Sequence, residues 1–206
     1  MLASNYLGQL GRLANQMFQY AALRGIAARR GYEFGIPPSN FDDEWRTHQL
    51  FKVFELPHLS KQNIKYLDGG HAPVAQEKSF EFDQLLYNQC PNDVSLFGFF
   101  QSEKYFKHIE DSLREDFTFQ GHILEPCRDL AESFDNPISL HVRRTDYLTN
   151  SVNHYNLGLD YYEKALSHFD DDRQVVVFSD DPSWCYDQEL FSDDRFMISQ
   201  SEDNAI

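Results

Sequence analysis

The sequence predicts an α/β fold of two Rossmann-like units that face each other, the second of them incomplete. Strand segments alternate with helical segments on both sides of a polar stretch at residues 133–136, as they do in parallel-sheet folds. A chain of 206 residues with 41% hydrophobic and 25% charged residues can bury one good core or two small ones. We therefore predict an N-terminal unit at residues 1–134 and a partial C-terminal unit at residues 135–206.

The first unit is predicted to contain three strands and three helices. The strands are predicted at residues 2–7, 33–36 and 94–100. The first helix is predicted to begin in the loop at residues 8–16 and to end at about Arg30, and the other two helices are predicted at 106–116 and 123–134. Gly31 follows the first helix as a stop signal. Residues 41–93 hold short apolar stretches broken by prolines and glycines, which predicts a long irregular insertion with at most one hairpin.

The second unit is predicted to begin with a buried strand. Ile138, Leu140 and Val142 alternate there with polar residues, which is typical of a strand with one buried face. A helix at residues 161–169, an apolar strand at 174–178 and a strand at 195–199 follow. The loop at 179–184 is expected to enter a helix whose first turn contains Pro182 or Ser183.

Charged residues follow directly where the first of these strands should end. Residues 137–147 read PISLHVRRTDY, so the strand delivers Arg143, Arg144 and Asp146 to the edge of the sheet where α/β proteins bind ligands. Arginine suits an anionic ligand because its planar fork grips phosphate with two hydrogen bonds and keeps its charge. A surface loop held by an Arg–Asp ion pair would give the same pattern.

The overall charge excludes some partners. The formal net charge is −15 and no run of Lys or Arg exceeds two residues, which argues against nucleic acid and against anionic membranes. The start of the chain lacks a signal-peptide pattern, and no stretch is long and apolar enough to span a membrane. Cys90, Cys127 and Cys185 fit no metal-ligand spacing and predict reduced, buried thiols in a cytoplasmic protein.

The loop before the first helix is a second candidate anion site. Gly8 and Gly11 allow a tight turn that exposes backbone N–H groups at a helix start. The segment does not match the dinucleotide-binding pattern of three glycines. A plain strand–turn–helix corner explains it equally well.

Four segments and the chain end together resemble one family. Residues 11–21 (GRLANQMFQYA), 98–106 (GFFQSEKYF), 178–185 (FSDDPSWC) and 201–206 (SEDNAI) are similar to signatures of the α-1,2-fucosyltransferases, glycosyltransferase family 11. Residues 141–147 (HVRRTDY) resemble the arginine motif shared by α-1,2-, α-1,6- and protein O-fucosyltransferases. The resemblance spans the chain except for the region 41–93.

The resemblance implies an inverting GT-B glycosyltransferase that moves L-fucose from GDP-fucose to a galactoside hydroxyl without a metal or other cofactor. Its partners would be GDP-fucose and a glycan acceptor, and any membrane contact would be peripheral, through a glycolipid acceptor. The donor site it implies consists of Gly11, Arg12, His141, Arg143, Arg144, Asp180 and Asp181, and the catalytic residues are Asn15, Arg143 and Asp146.

Within this set the resemblance implies that Arg143 binds the donor pyrophosphate and that His141 helps to hold the nucleotide. It also places Arg12 and Asn15 at the reaction centre across the cleft. Asn15 is alternatively a helix cap. Asp146 is either a general base or, as we favour, a structural partner of Arg144.

The remaining two aspartates and the departures from the family pattern leave further alternatives open. Asp180 and Asp181 either bind nucleotide or shape their loop. Ala14 and Thr145 stand where the family usually has glycine, and the family's acidic guanine contact and Ser/Thr-rich phosphate loop lie beyond Ile206. The alternative function is therefore a truncated, non-catalytic remnant that binds glycan or nucleotide weakly. A metal-dependent enzyme using the run at residues 170–172 is the third reading, although such exposed charge runs are usually solvated.

Overall fold

The computed structural model describes residues 1–39, 47–150, 152 and 154–199, and its packing divides the chain into two units. The first unit ends at Leu124 and the second begins at Glu125, within a helix that precedes the linker predicted at residues 133–136. The facing arrangement of the two units stays a prediction. The motif at residues 201–206 and the start of the predicted insertion lie outside the described residues.

A parallel four-stranded sheet forms the centre of the first unit. Its strands are β1 (Leu2–Ala3), β2 (Phe34–Gly35), β3 (Val74–Gln76) and β4 (Val94–Phe97), in the order β2-β1-β4-β3. All three pairings are parallel, so the strands end at one edge of the sheet. This sheet and the parallel sheet of the second unit confirm the predicted α/β fold class.

The first helix of the chain forms largely as predicted. Helix α1 (Leu13–Arg30) buries Tyr20, Leu23 and Ile26 against the sheet. Gly31 ends the helix in the left-handed conformation (φ +67°), which a residue without Cβ adopts at little cost.

Two predictions for the first unit were wrong in detail. The strand predicted at residues 2–7 stops at Ala3, because a turn closed by a hydrogen bond from Leu7 N to Ser4 O follows it at 3.0 Å. The region 41–93, predicted as an irregular insertion, is not irregular throughout its described part. Instead β3 pairs in parallel with β4 and supplies an edge strand of the central sheet.

The remaining helices of the first unit are short. They are α2 (Leu50–Val53), α3 (Gln84–Gln89), α4 (Glu110–Asp116) and α5 (Gly121–Glu132), and the last of these runs into the second unit. Four 3₁₀ turns lie between them, at Lys61–Asn63, Leu67–Gly70, Glu103–Tyr105 and Lys107–Ile109. The helices predicted at 106–116 and 123–134 correspond to the last two α-helices, with the first of them starting later.

A buried carboxylate joins α1 to α4. The side chain of Asp116 is fully buried and forms an ion pair with Arg24. It also accepts hydrogen bonds from the Tyr20 hydroxyl at 2.9 Å and from the backbone N–H of His58 at 3.0 Å. Burial raises the pKa of Tyr20, so that hydroxyl remains a donor. A buried charge with this many partners is stable only while all of them are present.

The second unit is built on a parallel three-stranded sheet. Its strands are β5 (Ile138–Val142), β6 (Val175–Ser179) and β7 (Phe196–Ile198), in that order, and its helices are α6 (Thr145–Thr149), α7 (Leu159–Leu166) and α8 (Pro182–Tyr186). The alternating burial along β5 confirms the predicted pattern. Helix α8 begins at Pro182, as predicted. Helix α6 was not predicted from the sequence.

All three cysteines are free thiols, two buried and one exposed. Burial raises the pKa of Cys90 to about 11, so it stays protonated at neutral pH. The prediction that all three are buried was wrong for Cys127, which lies on the exposed surface of α5. None of the described helices is long and apolar enough to cross a membrane.

We predict that Asp116→Ala lowers the free energy of unfolding by about 3 kcal/mol, because it leaves Arg24 charged and buried without its partner. Urea unfolding followed by circular dichroism measures the loss. Asp111→Ala is the matched control, since Asp111 is an exposed carboxylate on the same helix. Equal stability of the two variants would contradict the assigned role of Asp116.

Candidate active site

The predicted site residues form one cluster in each unit, and each cluster lies where strands of a parallel sheet end. In the second unit, β5 and β6 pair with Val142 opposite Ser179. The residues that directly follow these two positions, Arg143 and Asp180, are therefore neighbours. The structure thus brings together the arginines after β5 and the aspartates after β6.

The buried carboxylate of Asp180 holds this cluster together. Its side chain is only 4% exposed. One carboxylate oxygen accepts a hydrogen bond from the backbone N–H of Arg144 at 2.8 Å, and the other accepts one from the Thr145 hydroxyl. The second oxygen also lies 3.2 Å from Nε of Arg143. Because it fixes the turn that carries both arginines, Asp180 shapes the loop, which is one of the two roles considered for it.

Arg143 points its guanidinium at a second, exposed carboxylate. Its Nε and Nη2 lie 3.0 Å and 2.9 Å from Oδ1 of Asp146, and its side chain is 28% exposed. Hydrogen bonding to Asp146 raises the pKa of Arg143, and the same interaction lowers the pKa of Asp146. The sequence-based pairing of Asp146 with Arg144 was wrong. The partner is Arg143, which lies three residues earlier.

Arg144 is held by a different pair of side chains. Its Nε donates to Oδ2 of Asp181 at 3.1 Å, and its guanidinium stacks 3.9 Å from the ring centre of Trp184. Asp181 also caps α8 by accepting from the backbone N–H of Trp184 at 3.2 Å. Both functions of Asp181 tie the loop after β6 to the loop after β5. Arg144 is therefore built into the scaffold more firmly than Arg143.

His141 lies on the exposed face of β5. In the strand register it sits beside Phe178 of β6, which is also exposed. Its ring makes no hydrogen bond with any described residue. Alternation along the strand sends it to the face opposite Leu140 and Val142, which pack in the core.

In the first unit, Gly11, Arg12 and Asn15 lie together at the start of α1. Gly11 has φ +78°, and a Cβ atom there would lie 2.3 Å from Nδ2 of Asn15, so a larger residue would collide with that amide. Arg12 precedes the helix in an extended conformation and is exposed. Its guanidinium has no partner within the described part of the chain.

The alternative role of Asn15 as the helix cap is wrong. Arg12 occupies the cap position, and no side chain caps this helix. Asn15 is the third helical residue, and its Oδ1 accepts a hydrogen bond from Nε2 of Gln101 at 2.7 Å. That bond orients the asparagine amide. Gln101 lies in the segment at residues 98–106, for which the sequence analysis predicted no site residue.

Two buried glutamines fix the path of this loop. Gln19 donates to the carbonyl of Leu10 at 2.8 Å, and Gln16 donates to the carbonyl of Gly11 at 3.4 Å. Gln16 also accepts from the backbone N–H of Gln49 at 2.8 Å. Buried amides that satisfy backbone groups in this way hold a loop in one conformation.

Glu77 is a site residue that sequence reasoning missed. Its buried carboxylate accepts hydrogen bonds from the backbone N–H groups of Phe99 and Phe100, at 3.1 Å and 2.8 Å, and from the Tyr105 hydroxyl at 2.9 Å. A Cβ atom on Gly98 (φ +158°) would lie 2.6 Å from Cβ of Glu77, so this close approach requires glycine. Glu77 therefore fixes the turn that presents Gln101 to Asn15.

The arrangement favours binding of an anionic, nucleotide-like substrate. Helices and parallel strands place a charged arginine at the carboxyl edge of a sheet, where α/β enzymes bind such ligands. No three His, Cys, Asp or Glu side chains among the described residues are placed to share a metal ion. The arginine at the sheet edge favours a site for a phosphate-bearing ligand.

Comparison with known proteins defines the family. The model described as "Glycosyl transferase family 11" matches residues 5–203, which confirms the resemblance found in the motifs. The chain therefore belongs to this family of glycosyltransferases.

Similar proteins come from bacteria and mammals. The chain is 31% identical over 93% of its length to the O-antigen biosynthesis glycosyltransferase WbnK of Escherichia coli, of which the alignment covers 78%. It is 27% identical over 88% of its length to an alpha-1,2-colitosyltransferase of Escherichia coli, with 71% of that protein covered. It is 25% identical over 87% of its length to galactoside alpha-(1,2)-fucosyltransferase 2 of Sus scrofa, with 54% covered.

We predict that the pKa of Asp146 lies below the ordinary value of about 3.9 and rises toward it in Arg143→Gln. An NMR titration of the Asp146 carboxyl carbon measures both values. Because the folded pKa is lowered, the stabilisation by this pair is present above about pH 3.9 and is lost as the pH falls through the folded pKa. The pair is solvent-exposed, so its contribution stays below about 1 kcal/mol. An unchanged pKa in the variant would contradict the pairing.

Proposed function

We propose that the protein transfers L-fucose from GDP-fucose to a hydroxyl of a galactoside, with inversion at the sugar and without a metal ion. Membership of glycosyl transferase family 11 supports the reaction class. The names of the mammalian relatives support fucose as the sugar and a galactoside as the acceptor. We place the donor at the cluster of the second unit and the acceptor in the first unit.

The partly exposed guanidinium of Arg143 is the observation that carries the proposal. It stands at the carboxyl edge of the sheet, and hydrogen bonding raises its pKa, so the charge is permanent. A fork of two N–H donors already binds one carboxylate oxygen there. A diphosphate oxygen presents the same charge and acceptor geometry, so it can take the place of the exposed Asp146 carboxylate.

The proposed chemistry assigns Arg143 to the leaving group. In an inverting displacement the oxygen of the acceptor hydroxyl attacks C1 of the sugar while the C1–O bond to the β-phosphate breaks, and the hydroxyl proton is released to solvent. Negative charge then grows on the departing phosphate oxygen. A fixed guanidinium at that oxygen binds the transition state more strongly than the ground state. It supplies the charge that a divalent cation supplies in metal-dependent transferases.

The other residues receive supporting roles in the proposal. Asp180 positions Arg143, while Arg144 and Asp181 hold the two loops together. His141 contacts the nucleotide from the exposed face of β5. We assign Asp146 to pairing with Arg143 before the donor binds and not to general base catalysis, because both N–H donors of the Arg143 fork already bind its Oδ1 in the structure.

The first unit contributes Arg12 and Asn15 at the reaction centre. Asn15 is oriented by Gln101, so its amide can direct a hydroxyl or a phosphate oxygen by hydrogen bonding. The guanidinium of Arg12 adds positive charge beside the loop at Gly11. In the proposal, the acidic chain has no nucleic-acid partner and acts in the cytoplasm, and it meets a membrane only through a glycolipid acceptor.

The second candidate donor carries colitose in place of fucose. The alpha-1,2-colitosyltransferase among the similar proteins supports it. Parallel assays with GDP-fucose and with nucleotide-activated colitose distinguish the two donors, and neither outcome alters the role of Arg143.

Arg143→Ala is expected to reduce transfer from GDP-fucose at least about a hundredfold, because it removes the charge at the leaving phosphate. It should also abolish GDP binding in calorimetric titration while leaving the circular dichroism spectrum unchanged. Arg128→Ala is the matched control, since Arg128 is an exposed arginine of the same unit. Near-normal transfer by Arg143→Ala would overturn the assigned role. Absence of both nucleotide binding and transfer in the wild-type chain would support the non-catalytic remnant instead.

Chelation provides an independent check on the mechanism. We expect transfer to continue at an unchanged rate after dialysis against EDTA, because Arg143 takes the place of a cation at the leaving group. The initial rate is measured before dialysis, after dialysis and after Mg²⁺ or Mn²⁺ is added back. Loss of activity that a divalent cation restores would contradict the metal-independent mechanism.

A further inference from the structure

A small cavity opens beside the loop that carries Gly11 and Arg12. Its volume is about 200 Å³, and its lining includes Leu10, Gln76, Ser79, Phe80 and Phe99. Leu10 directly precedes Gly11, and Phe99 lies two residues before Gln101. Three segments line the cavity, and two of them, at Leu10 and at Phe99, belong to the loops that meet at the hydrogen bond between Gln101 and Asn15.

Two phenylalanine rings form an exposed surface at this cavity. Phe80 is 70% exposed, and its ring centre lies 5.4 Å from that of Phe99 with 30° between the ring planes. One exposed phenylalanine is an ordinary feature of a protein surface. Here, however, the exposed ring is supported by a second ring whose backbone N–H is held by Glu77, so the surface has a fixed position.

Polar groups stand beside the two rings. Gln76 is exposed at the end of β3, and its side-chain amide makes no hydrogen bond to any of the described residues. Ser79 accepts a hydrogen bond from the backbone N–H of Glu81 at 3.3 Å, which leaves its own O–H proton available. One amide and one hydroxyl next to aromatic faces can recognise a ligand that has both apolar faces and hydroxyl edges.

We propose that Phe80 and Phe99 form the platform on which the acceptor sugar stacks, with Gln76 and Ser79 bonding its hydroxyl groups. A β-galactoside ring has one face of C–H bonds, which are weakly positive and match the negative face of an aromatic ring. Its hydroxyl groups lie at the ring edge, within reach of the amide and the serine. This inference rests on the proposed function, because it names the acceptor contacts of that reaction.

The location of the platform supports the assignment. The cavity lies at the carboxyl ends of β3 and β4, the edge at which parallel sheets bind ligands. Its lining residues Leu10 and Phe99 belong to the loops whose Gly11 and Gln101 contact Asn15, the amide proposed to direct a hydroxyl group. A sugar on the platform would thus be held in the same unit as the residues assigned to the reaction centre.

Substitution of Phe80 tests the platform without disturbing the core, because the ring is largely exposed. In Phe80→Ala the KM for a β-galactoside such as lactose should rise about tenfold, as the loss of one aromatic contact implies. The kcat and the KM for GDP-fucose should stay unchanged, and Phe80→Tyr should restore the wild-type KM. Phe119→Ala is the matched control, since Phe119 is another exposed phenylalanine of this unit that packs on a second ring, Phe54.

A binding measurement separates this inference from the proposed function. Saturation-transfer NMR with lactose and the full chain should detect contact between the sugar and aromatic protons in the wild type, and this signal should weaken in Phe80→Ala. Equal signals in both proteins, or no signal in the wild type, would overturn the platform even if transfer occurs. A signal that depends on Phe80 in a protein that transfers no fucose would contradict the proposed function and leave the platform standing.

Discussion

The candidate donor site depends on one buried carboxylate, that of Asp180. Parallel pairing of β5 with β6 brings the ends of both strands together, but pairing alone does not direct an arginine toward solvent. Asp180 does this by accepting bonds from the turn after β5 and by facing Nε of Arg143. Loss of a partner would leave the buried charge of Asp180 unpaired at a high energetic cost. The groups that bind Asp180 are therefore held in place, and the partly exposed guanidinium of Arg143 is held with them.

The first unit positions its site residues in the same way, with a buried carboxylate at the edge of its own sheet. Glu77 follows β3 and binds the turn after β4 through two backbone N–H groups, much as Asp180 follows β6 and binds the turn after β5. In both units a buried carboxylate from one strand end holds the loop of the neighbouring strand. The residues that meet solvent, Gln101 and Asn15 in one unit and Arg143 in the other, are positioned by these carboxylates.

Sequence reasoning found the second unit more completely than the first. The alternation along β5 is local, and the arginines follow it directly, so both could be predicted. By contrast, Glu77 and Phe80 lie in a region whose strand β3 is largely exposed and lacks that alternation. Their importance comes from contacts with residues 97–105, which only tertiary pairing reveals. The partner of Asp146 was missed for a related reason, because the short helix α6 that sets its direction has no clear sequence signal.

The exposure of the acidic side chains decides which arginine can bind a phosphate. Arg144 is held by Asp181, which also caps α8, and by the ring of Trp184, so freeing its Nε for a ligand would break the tie between the two loops. Arg143 also faces two carboxylates, but they differ. The side chain of Asp180 is 4% exposed and accepts further hydrogen bonds from the turn after β5, whereas the side chain of Asp146 is 60% exposed. Water can solvate Asp146 when it releases the guanidinium. On the proposed function, a doubly charged diphosphate would therefore displace Asp146 at small cost, and Asp180 would continue to position Arg143.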